Sequence, residues 1–185
     1  MTATYPFPVS KDEFRGKRVL ITGGTKGMGQ AMVRRFTLSG ASVATTARSP
    51  LPEEQAVALF VQTDIGTAAG VQEAISRIQH EWGGLDILVN NVGGSDAPNG
   101  GYKALSDDDW QKALNVNLLA SVRLDRAFLP GMIERKSVSF FTSRPSSTVC
   151  RSMTRHLRML RRKALSILTI RALQTKLARR ASAST

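Results

Sequence analysis

Residues 17–29 read KRVLITGGTKGMG. KRVLIT is an apolar, β-branched run too short for a helix, and a glycine-rich turn follows it at once, which predicts a strand feeding a tight loop. Beyond the loop, Met28, Ala31, Met32 and Phe36 fall on one helical stripe within residues 27–39. Gly40 then stands where a residue free to take positive φ ends a helix well. The unit is strand, glycine turn, helix.

Working outward, the same alternation continues. ASVATTA (41–47) reads as a second strand, a short loop with Pro50 and Pro52 follows, and ALFVQT (58–63) reads as a third. A helix is expected from about Thr67 to Trp82, then the strand LDILVNN (85–91) after Gly83 and Gly84. Continuous apolar strands separated by helices imply a parallel sheet covered on both faces, and the right-handed crossover rule makes that a doubly wound α/β fold of three layers, α/β/α. Asp107, Asp108 and Asp109 open a long helix through Trp110, Leu114, Leu118, Val122 and Phe128, with acids at the positive end of its dipole.

The 185 residues, 42% hydrophobic and 22% charged, suit one soluble globular domain and exclude a two-domain enzyme. Cys150 and the separated His80 and His156 cannot build a disulfide framework or a Cys/His metal cage, so no metal is expected. The first residues lack a signal-peptide apolar core, and no apolar run approaches a membrane span, which predicts a cytoplasmic protein without membrane attachment. The net charge of +12 is unevenly placed. Up to Arg135 there are 14 Lys and Arg against 14 Asp and Glu; from Lys136 onward there are 12 against none. All 15 glycines lie in the first part. A separate basic module and a stretch never selected for this fold are the two explanations.

The turn Thr22-Gly23-Gly24-Thr25-Lys26-Gly27-Met28-Gly29 lets backbone approach a pyrophosphate and aims helix N-terminal amides at it. This TGxxxGxG spacing, in strand–turn–helix context, resembles the short-chain dehydrogenase/reductase family. Further marks follow in order. Asp64 in QTDI is similar to the family aspartate that contacts the adenine ring; an N-cap for the next helix is the lesser alternative when it is read alone. Asn90-Asn91-Val92-Gly93 resembles the family NNAG motif, with Val92 in place of alanine, and the resemblance implies that Asn91, Val92 and Gly93 border the cofactor. Asn117 in Asn115-Val116-Asn117-Leu118 lines up with the catalytic Asn, which in the family kinks its helix and holds a water of the proton relay. Read alone, such an Asn is a solvated surface residue.

The resemblance implies a Rossmann-type domain over residues 15–136, preceded by an extension (1–14) and followed by a basic tail (137–185) that matches nothing in the family. It implies a nicotinamide dinucleotide as cofactor, bound by Thr22, Gly23, Thr25, Lys26, Gly27, Met28 and Gly29. NAD binders place an acid at the end of the second strand to accept from the ribose hydroxyls; here that place is Ala47, with Arg48 next. Arg48 and Lys26 suit a 2′-phosphate, so NADP(H) is favoured over NAD(H); two solvated surface cations are the bland alternative.

The family also uses a Tyr four residues before a Lys to move the proton. The only tyrosines are Tyr5 and Tyr102, both ahead of Asn117, and residue 106 is Ser, so the YxxxK pair is absent. Ser143 lies near the expected family Ser but lacks its flanking pattern. Asn117 is the sole matched member of the catalytic set. Back-translating residues 153–165 and starting two nucleotides later permits DSTLAYAAAKGA, which contains YxxxK. The same offset permits GVILHVTSIQ across residues 137–147 and SNEVSPKGIRV across 173–184. These are three family-like segments in family order, and they predict a frameshift near Ser137.

Three functions follow for comparison. One is an oxidoreductase acting on a small alcohol or carbonyl, impaired by the missing pair. The second is an inactive nucleotide-binding fragment. The third is a basic-tail protein binding polyanions, without specific nucleic-acid recognition because no such motif accompanies the charge. The sheet is expected to be incomplete on its C-terminal side, with VSFFT (138–142) as fifth strand, and the chain therefore marginally stable. Family oligomers pair through helices, including the one after the lost Tyr, so assembly is doubtful here.

Overall fold

The computed structural model describes residues 10–94, 104–135 and 139–142. Among these described residues, five strands and four helices follow in the order β1 (Arg18–Thr22), α1 (Gly27–Leu38), β2 (Ser42–Ala47), β3 (Leu59–Gln62), α2 (Ala68–Trp82), β4 (Ile87–Asn90), α3 (Asp107–Leu114), α4 (Ala120–Glu134) and β5 (Ser139–Thr142). A π-helical turn, Asn115–Leu119, joins α3 to α4. All strands are parallel, in the order β3-β2-β1-β4-β5. The chain moves outward from β1 to β3 and then returns to β4 on the other side of β1. That reversal between β1 and β4 is where open α/β sheets place their ligands.

Alternate residues of the central strands serve the two faces, as a period of two requires. Val19, Ile21, Val43, Ile87 and Val89 bury one face beneath Val33, Met32 and Phe36 of α1. Leu20, Ala44 and Leu88 bury the other beneath Val71, Ile75 and Ile78 of α2 and Leu124, Phe128 and Met132 of α4. Both faces are therefore covered, and the three-layer doubly wound architecture expected from the sequence is present. Leu20, Ile21 and Leu88 are wholly buried, and each such side chain contributes about 1.5–3 kcal/mol by leaving water.

Two helical stripes differ from the sequence reading. On α1 the buried positions are Gly29 and Val33, flanked by Met32 and Phe36, while Met28 is 54% exposed and Ala31 is exposed. The helix must bring Gly29 against the β1 turn, and this rotates Met28 outward. Along α3 and α4 the buried series is Ala113, Asn117, Ala120, Leu124, Phe128 and Met132, with Trp110, Leu114, Leu118 and Val122 only half-buried. The buried face is already offset before the π-turn, where Ala113 rather than Leu114 is buried, and the π-turn adds a residue that shifts the register again after it. Gly40 does end α1, at φ +82.

At the opposite edge of the sheet from the strand C-termini, Arg18 and Asp86 form a two-point ion pair, with Nε to Oδ2 at 3.0 Å and Nη2 to Oδ1 at 2.9 Å. Arg18 also donates its main-chain N–H to Oδ2 and its Nη1 to the Trp82 carbonyl. Arg18 hydrogen bonding holds the Asp86 carboxyl below the usual carboxylate range against the opposing pull of burial, helped by the charges of Arg18 and Arg135. Ser143, Cys150, His156 and the rest of the basic tail beyond Thr142 lie outside the described residues, as do Tyr5 and Tyr102. Among the described residues no helix is long and apolar enough to cross a membrane, and no group of three or more His, Cys, Asp or Glu could hold a metal.

Candidate functional site

In a parallel sheet every strand delivers its C-terminus to the same edge, and the residues singled out by sequence gather there. Thr22 ends β1 and Gly23 through Gly29 come after it, Arg48 follows β2, Asp64 follows β3, and Asn91, Val92 and Gly93 follow β4. Asn117 is brought in by α3 and the π-turn.

The turn after β1 is built for close approach. Gly23 takes φ +69, and a Cβ there would lie 2.6 Å from Val92 Cγ2, so the valine of the Asn-Asn-Val-Gly segment packs onto backbone that only glycine supplies. A Cβ on Gly29 would fall 2.1 Å from the Gly23 carbonyl oxygen and 2.6 Å from Asn91 Nδ2, which locks the first turn of α1 onto the loop. Lys26 occupies the N-cap in extended conformation without a side-chain cap, and the first turn carries no acid. The leading amides of α1 thus have no side-chain cap from Lys26 and no acid in the first turn beside them. Met28, Lys26 and Gly27 are exposed there and Thr25 is half-buried.

Asn91 ties β4 to this turn. Its Nδ2 donates to the carbonyls of Thr22 (2.9 Å) and Gly23 (3.1 Å), and its main-chain N–H donates to Thr22 Oγ1 (2.9 Å). The Val92 N–H reaches the same hydroxyl oxygen at 3.1 Å. Thr22 is 1% exposed, so it serves the site as a brace rather than as a contact. Thr45 completes the support from β2: its Oγ1 accepts from the Gly24 N–H at 2.9 Å and donates to the Ile21 carbonyl at 2.7 Å.

Asp64 does not cap α2. Its Oδ1 accepts from the Gly66 N–H at 2.8 Å in a local turn, and Thr67 is the cap, accepting from Gly70 N–H at 3.0 Å. Its exposed carboxylate keeps Oδ2 free of hydrogen bonds among the described residues. Asn117 is buried rather than solvated. Its Nδ2 donates to the carbonyls of Gly94 (2.7 Å) and Ala113 (2.9 Å), and its Oδ1 accepts from the Gly94 N–H at 3.1 Å. By donating to the Ala113 carbonyl one turn back and pairing with Gly94, the side chain joins the segment after β4 to the helix at the π-turn.

Arg48 is exposed, its carbonyl accepting from Gln62 Nε2 at 3.2 Å, and no ion pair among the described residues involves Arg48 or Lys26. Thr45, Gly94 and Gln55, which donates to the Gly24 carbonyl at 2.7 Å, were not singled out by sequence.

The profile of the short chain dehydrogenase family matches residues 17–140. The chain belongs to the short chain dehydrogenase family. Within it, the NADP-dependent 3-hydroxy acid dehydrogenase YdfG of Shigella flexneri is 37% identical over 123 residues, which are 63% of this chain and 49% of that protein. The chain therefore spans about half the length of the curated short chain dehydrogenases it matches. L-Sorbose reductase from Gluconobacter frateurii, solved with NADPH and L-sorbose, superposes with a TM-score of 0.64 at 30% identity, over 71% of this chain and 53% of that one. The NADH-dependent reductase A1-R′, solved with NAD, shares the short chain dehydrogenase fold at a TM-score of 0.63 and 22% identity, over 76% and 63% of the two chains.

Proposed function

We propose that this chain binds a nicotinamide dinucleotide across the β1/β4 reversal, favours NADP(H) over NAD(H), and turns over an alcohol or carbonyl substrate poorly if at all. The observation that carries the reading is the uncapped first turn of α1, locked by Gly29 onto a loop that Asn91 ties to β4. These residues fit a pyrophosphate, because fixed N–H groups at a helix start meet negative charge without reorganising. Gly93 and Val92 border the far side of the same crevice, and the free oxygen of Asp64 suits the exocyclic amine of adenine.

The choice of cofactor rests on this chain's own residues, since the fold is shared with both NADPH- and NADH-dependent reductases. Ala47 leaves no carboxylate at the end of β2, and Arg48 and Lys26 are cations without an ion pair among the described residues. A charge-assisted contact of about 1.4 kcal/mol is a tenfold difference in affinity, so one Arg–phosphate pair suffices to set the preference.

The bound nicotinamide supplies or accepts the hydride that interconverts alcohol and carbonyl. The protein's share is to orient that ring and manage the proton. Asn117 shapes the segment after β4 through Gly94. No Tyr stands four residues before a Lys in the 185 residues, and the loss of a positioned acid costs about 10²- to 10⁴-fold. The composition break at Lys136, with the three offset segments, supports a frameshift in the gene; its nucleotide sequence past codon 136 decides that point. The reading places the protein in the cytoplasm.

Fluorescence titration of the purified chain with NADPH and NADH, followed by assay on a panel of carbonyls, tests the proposal. Saturable binding with NADPH about 10-fold tighter and negligible turnover is expected. Absence of binding, or turnover at rates typical of enzymes, about 1–10³ s⁻¹, contradicts it.

A further inference from the structure

The crossover from β2 to β3, residues 48–58, contains no helix, although parallel strands are usually joined by one. A loop of this kind, which begins with Arg48, needs some other tether to hold its course. Its near end is fixed by Gln62 Nε2 donating to the Arg48 carbonyl at 3.2 Å. Its far end is fixed by the Ala58 N–H donating to the Val43 carbonyl at 2.9 Å. Between them one side chain reaches across to the phosphate turn: Gln55 Nε2 donates to the Gly24 carbonyl at 2.7 Å, while the Gln55 main-chain N–H donates to the Pro52 carbonyl at 3.0 Å.

Chemistry fixes which way this amide faces, because the Gly24 carbonyl can only accept. The orientation leaves Gln55 Oε1 buried with no hydrogen-bond partner among the described residues. A buried acceptor left unpaired is unfavourable, so the side chain is kept there by its donor. Gly24 is itself fixed from the other side, its N–H on Thr45 Oγ1 at 2.9 Å. The Arg48 loop is thereby hung from a rigid point of the turn that faces the phosphates.

We infer that Gln55 is a positioning residue for cofactor selection: through its hydrogen bond to the Gly24 carbonyl it holds the Arg48 loop in place before ligand arrives. The inference rests on the NADP(H) reading above and adds the residue that makes Arg48 effective. Pre-ordering a cationic loop removes an ordering cost that falls only on the ligand bearing the 2′-phosphate.

A double-mutant cycle tests it, with NADPH and NADH affinities measured on wild type, Gln55→Met, Arg48→Ala and the double variant. Methionine keeps the length and apolar bulk of the side chain while removing the donor; Gln55→Ala is the second variant, and circular dichroism monitors folding of each. Gln55→Met should weaken NADPH by about 3- to 10-fold, move NADH by less than about 2-fold, and add nothing once Arg48 is gone. Equal weakening of both cofactors, or effects of the two substitutions that multiply, would overturn it and leave Gln55 a purely structural tether. A wild type that does not distinguish the cofactors, with Arg48→Ala silent, would instead bring down the NADP(H) reading, and this inference with it.

Discussion

Asn91 grips Thr22 twice, its side-chain amide donating to the Thr22 carbonyl and its main-chain N–H to the Thr22 hydroxyl, both at 2.9 Å. Thr22 ends β1 and Asn91 directly follows β4, the neighbouring strands at which the chain reverses direction across the sheet. Strand order creates the crevice there, and this pair ties its two sides together.

Replacing Asn91 by Ala removes donors from the Thr22 and Gly23 carbonyls. A loss of about 1–3 kcal/mol in stability is expected, since the carbonyls are partly buried, together with roughly tenfold weaker cofactor binding. Chemical denaturation and cofactor titration of the same preparation measure both.

Gly29→Ala places a Cβ 2.1 Å from the Gly23 carbonyl oxygen, which is backbone and cannot swing aside. The turn must open, and cofactor affinity should fall by more than about tenfold. Gly94→Ala is the control, because a Cβ there meets nothing within 4 Å and the Asn117 pairing uses only Gly94 main chain. Titration of both variants should separate them clearly.

Asn117→Asp keeps size and removes the donor that serves Gly94 and Ala113. At neutral pH a buried carboxylate would then face two carbonyl oxygens, so destabilisation of about 1–3 kcal/mol is expected, easing as the carboxyl protonates in acid. Thermal melts across pH read the effect.

These outcomes bear on how much the sequence disclosed. Strands β1 to β4 and their helices were legible because each apolar run is bounded by Gly, Pro or a capping residue, and the phosphate turn because its four glycines fall within residues 23–29. The stripe through Met28 and Ala31 was misassigned, since a helical repeat says nothing about which side the preceding turn enters from. Along α3 and α4 a π-turn inserted one residue, which no 3.6-residue period anticipates. Thr45 and Gln55 act on Gly24 from 21 and 31 residues away, and bonds of that span leave no local pattern.

Asp86 gives the fold a dependence on acid. Its carboxyl titrates below the usual range because Arg18 binds the charged form, so its contribution is complete above the unfolded aspartate value of about 3.9 and is lost as pH falls through the lower folded value. Asp86→Asn should cost about 1–3 kcal/mol at neutral pH, with the gap from wild type closing below about pH 4. Denaturation midpoints at pH 7 and in acid check the sign.

The most direct test of the central claim is amide hydrogen exchange of the full chain with and without saturating NADPH. Slowed exchange concentrated in residues 23–30, around Arg48 and Asp64, and in residues 91–94 is the predicted result. Unchanged exchange there, with protection arising only in residues 137–185, would contradict it.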